Sequence, residues 1–351
     1  MSSKHTKILA EMIAPHKERA AKLLQPNPDL SQVSYLASKH QRFGTYDGNQ
    51  LNRYRIMTGI RFTADKTPYE DLIRYLLTEE IKDRETNSFQ GLSNDLLLGV
   101  WLMKKFHNKS NAELFSRAKK ANFDTYCGFN PDTINEEYFK DNITHIDISE
   151  CIRLALHLDG HDALSPNIEK HDYAGRLIEL WKTQQTTWDE YNLKQLATYE
   201  KRRINPAGEL DALLNLLPLK QETANDRDIC SLLNNIAKKH IELGQIPEAF
   251  TTVSRLLPRL VQVEGWENVG LGRSIMETCM DVIIEGDMHT ASQIWSVVKP
   301  HATAMSNMHW NLYEKSAFAA DKMGDDALSE TFLQRLEDDR KKMYTVTGPI
   351  K

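Results

Sequence analysis

Apolar positions recur at helical spacing along nearly the whole chain. Ile8, Leu9, Met12, Ile13, Ala20, Leu23 and Leu24 make one face over residues 5–25, with Pro15 expected to break or restart the helix. Gln25-Pro26-Asn27-Pro28-Asp29 reads as a loop. Residues 43–66 look least regular: Gly44, Asp47-Gly48 and Gly59 interrupt a mixture of Tyr46, Tyr54 and Phe62 with Arg53, Arg55 and Arg61. Thr67-Pro68-Tyr69-Glu70 has the residues of a helix start, with Thr67 as cap, Pro68 in the first turn and Glu70 closing a capping box. The face Leu72, Ile73, Leu76, Leu77, Ile81 follows.

Ser93-Asn94-Asp95 opens a helix carrying Leu97, Val100, Trp101 and Met103, and Ser110-Asn111-Ala112-Glu113 opens another with Leu114, Phe115 and Ala118. A short polar turn between them predicts an antiparallel pair. Further helices are expected over 149–160 and, as one long element, over 171–203, ending in Lys201-Arg202-Arg203, whose charge suits a helix C-terminus. Asn205-Pro206-Ala207-Gly208 is the clearest linker, which places a boundary between an N-terminal domain, 1–205, and a C-terminal one, 206–351.

Beyond it the pattern repeats. Gly244, Gly286 and Gly324 lie 42 and 38 residues apart. Each is preceded by a small residue (Ala237, Cys279, Ala317) and by a larger core residue (Leu233, Ile275, Tyr313), and followed by another small one (Ala249, Ala291, Ser329). Each unit reads as helix, glycine turn, helix, with small residues where two helices approach. Pro258 and Pro300 are expected to end the second helices of the first two units. The fold class is therefore all-α: an irregular helical N-terminal region, then an α-solenoid-like array of about three helical hairpins.

This framework, over residues 229–340 and best at 232–250, resembles the tetratricopeptide repeat, although the period exceeds ~34 residues and the usual aromatic positions are mostly replaced. The resemblance implies stacked hairpins whose first helices line a concave binding face. Carried over by offset from each glycine, that face holds Asn234, Lys238, Arg273, Met276, Met280, Asn311, Glu314 and Phe318. Met276 and Met280, one turn apart, suit either an adaptable apolar patch or an ordinary core.

Composition is ordinary for a globular chain, 40% hydrophobic and 26% charged. The longest apolar run, Leu96–Met103, is far short of the ~20 residues of a spanning helix, and Glu11 cuts the first apolar patch, so a cytoplasmic protein is expected. Cys127, Cys151, Cys230 and Cys279 form no CxxC pair and read as reduced structural thiols. The net charge of −5 is unevenly spread: residues 1–66 hold 11 Lys/Arg against 5 Asp/Glu, whereas 132–172 holds ten acids against Lys140, Arg153 and Lys170. Solvated helix faces would give the same count. As a docking surface, the acidic stretch offers Asp132, Glu136, Glu137, Asp141, Asp147 and Glu150.

Motifs for enzymatic chemistry are sparse. No phosphate-cradling loop, GxSxG or HExxH occurs. His157, or His145, with His161 and Asp162 is a candidate metal set, because imidazole and carboxylate together can hold a divalent ion that activates water. It would make the chain a metal-dependent phosphohydrolase. The Arg- and Tyr-bearing stretch 42–61 offers contacts to nucleic acid, but without a dense basic run, and Tyr54 and Phe62 also suit a core. The leading expectation is a non-enzymatic protein-binding protein without cofactor or small-molecule substrate. In its irregular helices, charge segregation and the stretch Asn122-Phe123-Asp124-Thr125-Tyr126-Cys127-Gly128 it resembles a bacterial immunity protein, which implies a cognate toxin domain as partner. A repeat-type regulator binding peptide or nucleic acid is the further alternative.

Overall fold

The face read over residues 5–25 forms α1 (Lys4–Lys22), and Pro15 does not end it. Pro15 and Glu11 are both exposed, so the carbonyl that the proline ring leaves without a donor faces water. The structure, a computed structural model, describes residues 3–41, 44–87, 91–135, 138–161, 164, 169–305 and 308–347, with side chains to 341. Among these residues the chain forms sixteen α-helices and one two-stranded antiparallel hairpin, β1 (Ala37–His40) with β2 (Gly44–Asp47). It divides into two compact units, Met1–Thr186 with Arg202–Ile204, and Thr187–Lys201 with Asn205–Lys351. No helix of the described residues is long and apolar enough to cross a membrane.

The first unit contains α1, α2 (Gln50–Arg61), α3 (Glu70–Thr86), α4 (Asn94–Met103), α5 (Asn111–Lys120), α6 (Phe123–Gly128), α7 (Ile148–Leu158) and α8 (Tyr173–Lys182). Ser93 caps α4 as expected, but Ser110 makes no cap bond, and Thr67–Tyr69 is a 3-10 turn leading into α3. The stretch expected to be least regular instead supplies α2, which is buried on all sides from Arg53 to Arg61. Its Gly59 lies against α1; a Cβ there would meet the His16 carbonyl at 2.5 Å, so only glycine permits this approach.

Three arginines of α2, Arg53, Arg55 and Arg61, are buried rather than presented at the surface. Arg53 lies between Asp47 and Glu80. Arg55 donates to the carbonyls of Leu158, at the end of α7, and of Glu169. Arg61 donates to the carbonyl of Lys140 and pairs with Glu150. The first two thus satisfy groups that would otherwise be buried without partners. Tyr54 and Phe62 are in the core.

The second unit holds α9 (Glu190–Arg202) up to Lys201, then α10 (Pro206–Thr223), α11 (Asp226–Glu242), α12 (Ile246–Leu260), α13 (Gly270–Glu285), α14 (Met288–Ala304), α15 (Trp310–Lys322) and α16 (Asp326–Thr347). The single long helix expected over 171–203 is two helices, α8 and α9. Asn205-Pro206-Ala207-Gly208 is the start of α10: the Asn205 side chain accepts from the Gly208 amide and Pro206 takes the first turn. Pro258 and Pro300 lie inside α12 and α14 rather than ending them.

From Asp226 on, the expected hairpins form: α11 packs on α12, α13 on α14 and α15 on α16. Gly244 and Gly324 adopt the left-handed conformation of a tight helix–helix turn (φ +70° in both), whereas Gly286 is extended (φ −75°). The first helices also pack on each other, α11 on α13 and α13 on α15.

Candidate functional site

The polar contacts between successive first helices define the stack. Ser274 and Thr278 of α13 face α11. Asn234 Nδ2 donates to Ser274 Oγ (3.0 Å), Thr278 Oγ1 donates to Asn234 Oδ1 (2.7 Å), and Lys238 Nζ donates to Ser274 Oγ (2.7 Å). Burial lowers the Lys238 pKa, as expected of an ammonium drawn into a helix interface. From α15, Lys315 reaches Asp281 of α13 (2.7 Å) and Lys322 caps the carbonyls of Ile284 and Gly286.

These contacts revise the expected binding face. Asn234, Met276 and Glu314 stand ten residues before their turn glycines, and Lys238, Met280 and Phe318 six before. In α11 these positions point at the next first helix. In α13, helical phase turns Met276 and Met280 away from α11 and toward α15, and both are 0% exposed. They are core residues, and Asn234 and Lys238 are helix-to-helix ties, so these four do not present a groove. Sequence offset alone could not separate the side of a first helix that meets a partner from the side that meets its next neighbour.

In α15 the same two positions meet no further first helix among the described residues. Phe318 is 56% exposed where its counterpart Met280 is fully buried. Trp310 (41% exposed), Glu314 and Asp321 continue with Phe318 the same side of α15 at intervals of about one turn. Neither Glu314 nor Asp321 has an ion-pair partner among the described residues, and Lys315 and Lys322 are engaged with α13. Arg273 and Asn311 are half-exposed on the first helices. Trp310 and Asp321 were missing from the sequence-derived face; the spacing 310, 314, 318, 321 would have placed them on it.

The acidic stretch is largely occupied within the fold. Asp141 pairs with Lys66 (3.1 Å), Glu150 pairs with Lys140 (3.0 Å) and Arg61 (3.5 Å), and Asp147 caps α7 through the Glu150 amide. Asp132 is exposed, while Glu136 and Glu137 lie outside the described residues. The cations that neutralise this stretch are mostly remote in sequence, so a local charge count overstated it.

The histidines separate. His157 bonds Asp95 (2.9 Å) and stands edge-on to Tyr54, and Asp162 lies outside the described residues. His161 instead meets Asp159 and Asp172, with one ligand atom of each within 4.8 Å of the others. His161 Nε2 is buried without a hydrogen-bond partner, an arrangement that could hold a divalent cation. Both carboxylates already have work. Asp159 accepts the Tyr173 and Ala174 amides at the start of α8, and Asp172 accepts the Gly175 amide and a two-pronged bond from Arg203 (2.7 and 2.6 Å). Burial raises the Asp159 pKa. Burial pushes Asp172 up as well, but the hydrogen bonds and charge of Arg203 leave it below its ordinary value. A metal here would compete with a guanidinium for Asp172.

Cys151, Cys230 and Cys279 are buried thiols, as expected, whereas Cys127 is exposed on α6 beside the exposed Tyr126. No protein-family model matches the chain, and no curated protein matches it.

Proposed function

We propose that the chain is a non-enzymatic protein-binding protein whose three C-terminal hairpins are degenerate tetratricopeptide-like repeats. Its docking surface is the open edge of the last hairpin, α15. One observation carries this reading: Phe318 is 56% exposed at the position where the preceding hairpin buries Met280 completely under its neighbour. A half-exposed Trp310 extends the patch, and exposed aromatics grouped on one face are typical anchors of protein interfaces. Within that class we propose an immunity protein, which holds a cognate toxin inactive by covering its active or substrate-binding surface. The test is co-expression with the product of a toxin-like reading frame adjacent to the gene. Co-purification and rescue of growth are expected, with both impaired by Phe318→Ser. Failure of both for the unaltered chain sinks the toxin reading, and full rescue by Phe318→Ser sinks the assignment of the edge.

A second reading, a metal-dependent phosphohydrolase, is favoured only by the meeting of His161 with Asp159 and Asp172. Bound metal and phosphatase activity, both lost in His161→Ala, would establish it. Their absence from the unaltered chain would end it.

A further inference from the structure

We infer that the occupant of the α15 edge is a basic amphipathic helix of the partner protein. The inference rests on the reading of that edge as a docking surface and adds the chemistry of what docks there.

The first argument is the stack itself. The equivalent edge of α11 is covered by a helix that presents two residues one turn apart, Ser274 and Thr278. The corresponding residues of α15, Leu312 and Ser316, are fully buried in the stack. The edge of a first helix is thus shaped to receive another helix bearing small or aliphatic residues at i and i+4. The α15 edge continues that series, since α15 packs on α13 as α13 packs on α11. With 13 residues, α15 offers a track about 20 Å long, roughly three and a half turns.

The second argument is charge. The exposed rings of Trp310 and Phe318 are accompanied on the same side by Glu314 and Asp321. The lysines adjacent to these acids in sequence are held elsewhere: Lys315 by Asp281, and Lys322 by the carbonyls of Ile284 and Gly286. An incoming helix therefore meets two aromatic rings and two carboxylates that have no ion-pair partner among the described residues. A seam of small and aliphatic residues flanked by Lys or Arg complements both, and the cations would also stack on the aromatic faces. A second copy of this chain does not fit. Two-fold pairing of α15 with itself would set Glu314 and Asp321 against the same acids, and like charges in register disfavour association.

The experiment uses the full chain and a dye-labelled synthetic helical peptide with an Ala/Leu seam at i, i+4 and flanking Lys, read by fluorescence anisotropy. A control peptide replaces every Lys with Glu. The Lys peptide is expected to bind at least about tenfold more tightly than the Glu peptide, and more weakly as salt is raised. Phe318→Ser should weaken Lys-peptide binding by about tenfold or more, and Glu314→Lys with Asp321→Lys should reverse the preference between peptides. Phe318 and Asp321 are exposed and Glu314 is half-buried, and unchanged circular dichroism would confirm that the variants fold. Equal binding of the two peptides, no binding of either, or binding unaffected by both variants overturns the inference. So does self-association in sedimentation that Phe318→Ser abolishes, because a second copy would then be the occupant. If the Lys peptide fails while Phe318→Ser still impairs capture of the toxin, only the chemistry of the occupant is wrong. If Phe318→Ser leaves toxin capture intact, the docking surface itself is wrong.

Discussion

Replacing Arg53 with Met tests whether the charges buried in the first unit hold it together. Arg53 is fully enclosed and donates Nε to Glu80 Oε1 (2.7 Å) and its terminal nitrogen to Asp47 Oδ2. Methionine keeps much of the aliphatic stem and removes the charge. Asp47 would retain the amides of Leu36 and Asn49 (both 2.9 Å), whereas among the described residues Glu80 would retain only Arg84 at 3.8 Å. One buried carboxylate is left with a single, more distant cation, and breaking a buried pair from one side costs about 3–5 kcal/mol. The loss should depend on pH. Burial already raises the Glu80 pKa above its ordinary 4.5, against the pull of Arg53, so without Arg53 it rises further. The folded chain then holds a proton that the unfolded chain releases above 4.5, so the stability of the variant falls as pH rises from there to the raised value. Urea unfolding followed by circular dichroism at about pH 5 and about pH 9 should show the larger deficit at the higher pH. Adding Glu80→Gln should recover part of it. A loss below about 1 kcal/mol, or one equal at both pH values, would refute the argument that Arg53 compensates these carboxylates.

Two other outcomes follow from buried groups. His16, enclosed between α1 and α2 with Nδ1 unpartnered, has its pKa lowered from 6.5 to about 3, first by burial and then by Arg55 and Arg19. Stability that depends on its neutral form is complete above pH 6.5 and lost as pH falls toward 3. His16→Leu should therefore remove about 3 kcal/mol of the loss between pH 6.5 and about 4.5, read from urea midpoints; an unchanged acid slope would count against a neutral buried imidazole. In the second unit, Asn234→Ala should cost about 1–3 kcal/mol, because Thr278 loses its cross-helix acceptor and Ser274 keeps only Lys238 of its two cross-helix donors. A double-mutant cycle with Thr278→Val should return a coupling of about 0.5 kcal/mol or more, and strict additivity would show that the tie contributes nothing.

Much of the helical framework was legible because helices are local. The face Leu72, Ile73, Leu76, Leu77, Ile81 and the cap at Ser93 became α3 and α4 as read, and the glycine-anchored pattern marked the turns of α11–α16. The reading failed where burial overrides composition. Arg53, Arg55 and Arg61 made α2 look like an irregular segment, but Asp47, Glu80 and the carbonyls of Leu158, Glu169 and Lys140 take up their charges from up to 114 residues away. The prolines misled for a related reason: Pro15, Pro258 and Pro300 are all exposed, so water can satisfy what each ring leaves unbonded.

The sequence by itself determined that the chain is helical and that three hairpins follow one another near its end, because periodicity, caps and turn glycines act over a few residues. It did not determine which side of each first helix is free. Lys238, Met280 and Phe318 hold the same place in the pattern, yet the first ties two helices, the second lies in the core and the third faces solvent. That difference depends on whether another helix follows in space. The same is true of His161, which meets Asp159 and Asp172 only because α7 and α8 bring their ends together. Only the tertiary structure could decide these matters, because exposure and ion pairing are properties of neighbours that sequence distance does not encode.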